Sequence, residues 1–291
     1  MRVIEPKHFN KPSKHKNKSK TWLIIPGILL AVVAVFASKL LRPKQNSTAS
    51  NSSQTQQNST THTTPATNTP TGEFKQFTGE EFKTLYRSVA YPNTQQVNEP
   101  LSITGNEIAD KRIRELAEKR GYKTTALPQG SIVKINEPRL ENDDLLQPLA
   151  AEGWQSLKTA AAKDKIPLSI ISAYRSPEYQ RNLFMGRLIA NGTTAKLIAD
   201  GIGDAVIEKT LGMTAVPGYS RHHTGYTIDL WCEDGSKTFV NSSCYRWINQ
   251  NNYLHAKESG WIPSYPAGTD LQGPEPEPWE YVWVGQQYLR D

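Results

Sequence analysis

Two stretches of this 291-residue sequence have no charged side chain: Thr21 to Ser38, and Gln45 to Gly72. The first is apolar, Trp22 to Ala37 with Leu40 and Leu41 beyond it, and is long enough to cross a bilayer as one helix. The second is Ser, Thr, Asn and Gln with some Ala and Pro. It has almost nothing to bury, which excludes a packed core and predicts a flexible tether. Cysteine is scarce: Cys232 and Cys244, twelve residues apart, are the only two. A cysteine metal centre wants closer pairs, so the simplest expectation in an oxidising compartment is one disulfide around Glu233–Lys237. Ser-Asp-Asn and Lys-Thr-Gly are absent, which leaves a penicillin-binding-type acyl-enzyme without support. There is no internal repeat.

The basic character is local. Residues 1–44 hold ten of the 34 Lys and Arg and one of the 28 acids, leaving 24 basic and 27 acidic groups in 45–291, a net of about −3. The overall pI of 9.1 therefore belongs to the N-terminal segment, and no nucleic-acid surface follows from it. Seven Lys and Arg precede the apolar run against Glu5 alone. The positive-inside rule then predicts a cytoplasmic N-terminus and a single-pass anchor over residues 21–41, with everything after about residue 42 extracytoplasmic. A cleaved signal peptide is the competing reading; Ala37-Ser38-Lys39 is the nearest approach to a cleavage site. The predicted organisation is a basic cytoplasmic segment over 1–20, the anchor over 21–41, a linker over 42–73, a flank or small subdomain over 74–140 and a catalytic domain over 141–291.

Beyond Phe74 the pattern alternates helix and strand. A helix is predicted from Asn106 to Arg120, with Ile108, Ile113, Leu116 and Ala117 apolar and Gly121 as its stop. Ser131–Ile135 reads as a short strand. Asn142-Asp-Asp supplies caps for a helix to about Lys163, whose stripe is Leu146, Leu149, Ala150, Trp154, Leu157 and Ala161. Leu168–Tyr174 reads as a buried strand. Ser176-Pro177-Glu178 then opens a helix that reaches Asn191-Gly192. One helix is predicted over Ser243–Ser259, burying Trp247, Ile248 and Leu254, and Trp279–Val284 alternates as a strand. Trp231, Trp261, Trp279 and Trp283 read as core, and Asp270 and Glu275 as solvated loop acids. The expected class is α+β with an antiparallel sheet.

The stretch with the most chemistry is Ser220-Arg-His-His-Thr-Gly-Tyr-Thr-Ile-Asp229. His222 offers a ring nitrogen, Gly225 a turn, and Tyr226–Leu230 a strand in which Thr227 and Asp229 share a face. Read alone, this is either half of a metal site or a hairpin with a surface histidine and a solvated aspartate.

Taken together, SAYRSPEYQ, PGYSRHHTGYTIDLW, WIPSYP and EPWEYVWVG decide between them. Over roughly Asn142 to Gly285 the chain resembles the zinc D-alanyl-D-alanine carboxypeptidases of the VanY type. The resemblance implies a hedgehog/DD-peptidase-like antiparallel sheet with flanking helices, here behind the single N-terminal transmembrane helix. The pattern S-x-H-x-x-G-x-x-x-D puts zinc ligands on His222 and Asp229, and E-P-W-H puts a general base on Glu277. The third ligand, a histidine in the family pattern, is Glu280 here. Zinc accepts carboxylate oxygen, at the cost of more negative charge on the metal. His223 is expected to point away from His222, and His255 to lie within a helix.

The same resemblance gives Arg175 a role at the oxyanion or the substrate carboxylate. It places Tyr174, Ser176 and Gln180 around the substrate and Ser220 behind His222. The implied partners are peptidoglycan stem peptides and the membrane. The expectation is a zinc carboxypeptidase of the bacterial cell membrane that removes a C-terminal D-alanine. Two alternatives are a peptidoglycan-binding module whose metal site has lapsed, and a cell-wall endopeptidase of the same fold.

Overall fold

A computed structural model describes residues 72–291 apart from 98 and 141–143. The predicted anchor over 21–41, the basic segment before it, the predicted linker up to residue 71 and the expected caps Asn142 and Asp143 lie outside the described residues. Among the described residues no helix is long and apolar enough to cross a membrane.

The chain opens with α1 (Gly79–Ser88), closed at its start by a reciprocal cap between Thr78 and Glu81. Strand β1 (Thr94–Gln95) later pairs with β2 (Leu127–Pro128). Between them runs α2 (Glu107–Lys119), capped by Asn106 as predicted. It buries Ala109, Ile113, Leu116 and Ala117 but leaves Ile108 exposed, because Ile108 lies on the side of the helix that carries Arg112 and Glu115.

β3 (Val133–Lys134) pairs with β4 (Leu145–Leu146), and this changes the start of the next helix. Helix α3 covers Pro148–Lys163, so Asp144 is not its cap. The Asp144 carbonyl accepts from the Ile135 amide, and its carboxylate faces Lys134. Pro148 at the first helical position supplies the pre-set φ that starts the helix. The stripe is Ala150, Trp154, Leu157 and Ala161; Leu146 is buried from β4 and Leu149 is exposed.

β5 (Leu168–Ser172) comes next, then α4 (Pro177–Ala190) with Ser176 as its cap. α5 (Ala195–Ala199) and α6 (Asp204–Leu211) complete a helical group. Beyond β6 (Thr227–Cys232) the predicted single helix is two, α7 (Ser243–Ile248) and α8 (Gln250–Lys257). Asn251, Asn252 and Tyr253 take left-handed φ of 50°, 57° and 63° there. The Asn252 amide brackets the Phe77 backbone, donating to its carbonyl at 2.8 Å and accepting its amide at 2.9 Å. Asparagine tolerates that conformation better than most residues. Leu254 ends up only half-buried. β7 (Trp261–Pro263) and β8 (Glu280–Trp283) close the sheet, whose order is β5-β6-β8-β7 with every pairing antiparallel.

Two apolar cores form among the described residues. One joins α3, the sheet and α7 with Phe82 of α1; the other joins α2, α4, α5 and α6 through Ile113, Phe184, Ile207 and Leu211. α3 approaches the sheet so closely at Gly153 that a β-carbon there would lie 2.6 Å from the Trp283 ring. Trp231, Trp261 and Trp279 are buried, and Trp283 partly so. Cys232 and Cys244 form the disulfide.

Candidate metal centre

Antiparallel register brings two acids side by side. Asp229 on β6 is the cross-strand partner of Glu280 on β8. Like charges directly opposite each other destabilise a sheet, and both of these are buried, so the pair requires cationic company. Three groups supply it. Arg175, just past β5, donates through Nη2 to Asp229 Oδ2 at 2.6 Å. Arg221 donates through Nη1 to Glu280 Oε1 at 3.3 Å. Between the remaining oxygens sits His222, whose Nε2 lies 3.4 Å from Asp229 Oδ1 and 3.5 Å from Glu280 Oε2.

His222 stands on a 3-10 turn, Arg221–Thr224, which Gly225 terminates at φ 75°. A side chain at that glycine would press on Gln147. The ring is oriented by the carbonyl of Ala173, 2.6 Å from Nδ1. A carbonyl only accepts, so Nδ1 carries the proton and the Nε2 lone pair faces the two carboxylates. Nε2 and Asp229 Oδ1 are buried without a hydrogen-bond partner. Buried orphans of this kind call for an unseen partner. Ligand atoms of His222, Asp229 and Glu280 all lie within 4.8 Å of one another, and nitrogen with two carboxylate oxygens is a donor set that zinc accepts. The residues present fit the metal.

The electrostatics agree. Burial works against charge on all three groups, yet His222 is raised above its usual pKa because Asp229 and Glu280 pull a proton onto it. Asp229 and Glu280 are held below their usual values despite burial, the first by His222 and Arg175, the second by His222 and Arg221. This is a cluster that draws positive charge to itself. Glu277 behaves oppositely. Enclosure first, then the charges of Glu280 and Asp229, push its carboxyl well above the carboxylate range.

The loop that carries Glu277 is tied to the helical group. Arg120, at the end of α2, donates to the Gly273 carbonyl at 2.7 Å and to Glu275 Oε1 at 2.5 Å, and the Glu275 amide donates to Gly212. Glu275 is thus an ion-pair partner and not the solvated acid that composition suggested; Asp270 is largely exposed.

The other singled-out residues have definite places. The Ser176 hydroxyl accepts the Tyr179 amide at the start of α4. Gln180 is buried and donates to Thr214 and to the Ala215 carbonyl. The Tyr174 amide donates to Leu145. Ser220 makes no side-chain cap to the 3-10 turn, and its carbonyl accepts from Thr125. His255 stacks on Trp247, away from the cluster.

The roles of His223, expected only to point away from His222, and of Arg221 escaped the sequence reading. His223 is buried with a pKa lowered to about 4, mainly by that burial. It joins the Gly218 amide to the Arg175 carbonyl, so it braces the arginine from behind. The signal for Arg221 was a cation beside His222 in a chain that carries an acid where the pattern it resembles has an imidazole. Ser131-Ile-Val-Lys134 has the Ser-x-x-Lys spacing of an acyl-enzyme serine, but both side chains are exposed and Lys134 pairs with Asp144.

The model of the family described as "VanY: D-alanyl-D-alanine carboxypeptidase" matches residues 143–286. Over that segment the chain is similar to the VanY-type family. A D-alanyl-D-alanine carboxypeptidase of Enterococcus faecalis (strain ATCC 700802 / V583) is 29% identical to it over 149 residues, 50% of this chain and 51% of that protein. The chain thus spans about half the length of this curated relative. Among solved structures, a vancomycin-resistance D,D-pentapeptidase VanY in complex with Zn(II) is 26% identical with a TM-score of 0.41, covering 54% of this chain and 80% of the other. The LD-carboxypeptidase LdcB is 18% identical with a TM-score of 0.44, covering 75% and 86%. The VanY-type segment contains every candidate ligand, the candidate base and Arg175.

Proposed function

We propose that this protein is a zinc metallo-carboxypeptidase that removes the C-terminal D-alanine of peptidoglycan stem peptides. It would be held outside the cell membrane by the apolar segment 21–41 and the uncharged tether after it. The observation that carries the enzymatic reading is the triad of His222 Nε2, Asp229 and Glu280, two of whose atoms are buried with no partner in the protein.

Zinc bound there would supply Lewis acidity to a water and to the scissile carbonyl. The chain's own residues do the rest. Glu277, enclosed beside the two candidate carboxylate ligands, takes the proton of the attacking water and returns it to the departing amine of D-alanine. The C–N bond breaks as the new C–O bond forms. Arg175 is partly exposed and always charged, so its guanidinium is available to a substrate carboxylate or to the developing oxyanion. Ser176 and Gln180 act indirectly, Ser176 by capping α4 just after Arg175 and Gln180 by holding the 214–215 segment. Against a lapsed binding module stands the upkeep of Glu280, which a buried arginine holds on one oxygen.

The test is zinc content and D-alanine release from a muramyl pentapeptide, with wild type beside Glu277→Gln and Glu280→Ala. About one zinc per chain, turnover lost in both variants and zinc lost only in Glu280→Ala is the expected pattern. A wild-type chain that binds the pentapeptide with neither zinc nor release would reverse the conclusion in favour of a binding module.

A further inference from the structure

Arg221 is among the most enclosed charges of the described chain, and its partners come from widely separated segments. Nη1 donates to the Ser264 carbonyl at 2.7 Å and to Glu280 Oε1 at 3.3 Å, and Nη2 donates to Gln272 Oε1 at 3.1 Å. Two rings lie against the guanidinium, Tyr86 of α1 at 4.5 Å and Tyr265 at 4.1 Å. An arginine cannot shed its proton, so a buried one needs a counter-charge, and Glu280 is the acid in contact with it. Glu280 in turn is shared: Oε1 meets Arg221 and Oε2 faces His222.

This sharing answers the chemical objection to a carboxylate as third ligand. Exchanging a neutral imidazole for a carboxylate adds one negative charge to the cluster, directly across the strand pair from Asp229. A fixed guanidinium on the far oxygen takes that charge away again, and it restricts the carboxylate to presenting one oxygen to the metal. Ligand partners of this kind commonly set both orientation and affinity.

We propose that Arg221 is a positioning residue for the metal: it and Glu280 form one functional unit in which the arginine orients the carboxylate and offsets its charge, so neither can be exchanged alone. The inference rests on the zinc reading above. It predicts that restoring a histidine at 280 by itself harms the site, because Arg221 is then buried beside a cation with its counter-charge gone.

The test measures the zinc dissociation constant of the full chain by competition with a chromogenic chelator, together with the thermal midpoint of the metal-free protein. The variants are Arg221→Gln, Arg221→Lys, Glu280→His and the double Arg221→Gln/Glu280→His. Arg221→Gln should weaken zinc by about tenfold to a hundredfold. Arg221→Lys, which keeps a cation on an alkyl stem, should fall in between; if Arg221→Gln does not fold, Lys decides. Glu280→His alone should bind zinc more weakly than wild type, and the double variant more tightly than either single one.

A purely structural arginine would lower the metal-free midpoint and leave the zinc constant within twofold of wild type; that result, or a gain in affinity for Glu280→His alone, overturns the proposal. Wild type without zinc would overturn the zinc reading and this inference together. Wild type with zinc and unaltered Arg221 variants would overturn this inference only.

Discussion

Arg175 and Asp229 are joined by a 2.6 Å bond from Nη2 to Oδ2, while Arg175 Nε donates to Ser172 at 2.8 Å. The arginine expected to meet substrate therefore also holds a candidate ligand. Arg175→Ala should reduce kcat/KM and weaken zinc binding together. It should also destabilise the metal-free protein by about 1–3 kcal/mol, since a buried carboxylate oxygen loses its donor. Bound zinc replaces part of the missing positive charge, so the loss in thermal midpoint should be smaller with zinc than without. Scanning calorimetry in the two states reads this directly.

The Glu277 loop predicts a different pattern. Arg120 secures it through Gly273 and Glu275 but touches no candidate ligand. Arg120→Ala should lower kcat by roughly tenfold to a hundredfold, as misplacement of a catalytic group does. Its zinc stoichiometry should stay at the wild-type value. Steady-state kinetics beside metal analysis separates the two.

Packing at Gly153 opposes helix propensity. Alanine is the better helix former by about 1 kcal/mol. At this position, however, its β-carbon would meet the Trp283 ring at 2.6 Å and the Ser259 carbonyl at 2.7 Å. Overpacking of this kind costs typically about 1–3 kcal/mol, so Gly153→Ala should come out destabilised in urea titration despite the propensity gain.

Asp110 sets a pH dependence in the flank. Burial by itself would raise its pKa, but the Thr104 hydroxyl and the amides of Ile103 and Thr104 outweigh that and hold it below 3.8. A carboxyl whose folded pKa is depressed contributes stability above its unfolded value and loses it as the pH falls through the folded one. Asp110→Asn should therefore cost about 1 kcal/mol at pH 7. The gap should narrow steadily in denaturation curves taken below about pH 4.

Local signals carried much of this architecture. Ser176-Pro177-Glu178 opens α4 because cap, proline and acid all act within one turn, and the alternation over Tyr226–Leu230 marks most of β6. The candidate ligands His222, Asp229 and Glu280 follow from the resemblance that their motifs carry, and the fold brings them together. What spacing cannot encode is register. That Asp229 pairs with Glu280 and not with a neighbour depends on two strands far apart in the chain. The same limit hid Arg221, whose enclosing rings come from α1 and from the segment after β7, and it hid the role of Glu275. The break between α7 and α8 was missed because its cause, the grip of Asn252 on Phe77, is non-local.

Tyr86 stands on α1, outside the stretch 143–286 that bears the family signature. So do Phe82, buried in the main core, and Phe74, which pairs with Arg290 in an antiparallel bridge near the other end of the described chain. Cutting at the signature to make a portable module would strip one wall from the Arg221 enclosure and admit water behind the candidate third ligand. The smallest transplantable unit therefore begins near Phe74, ahead of the signature.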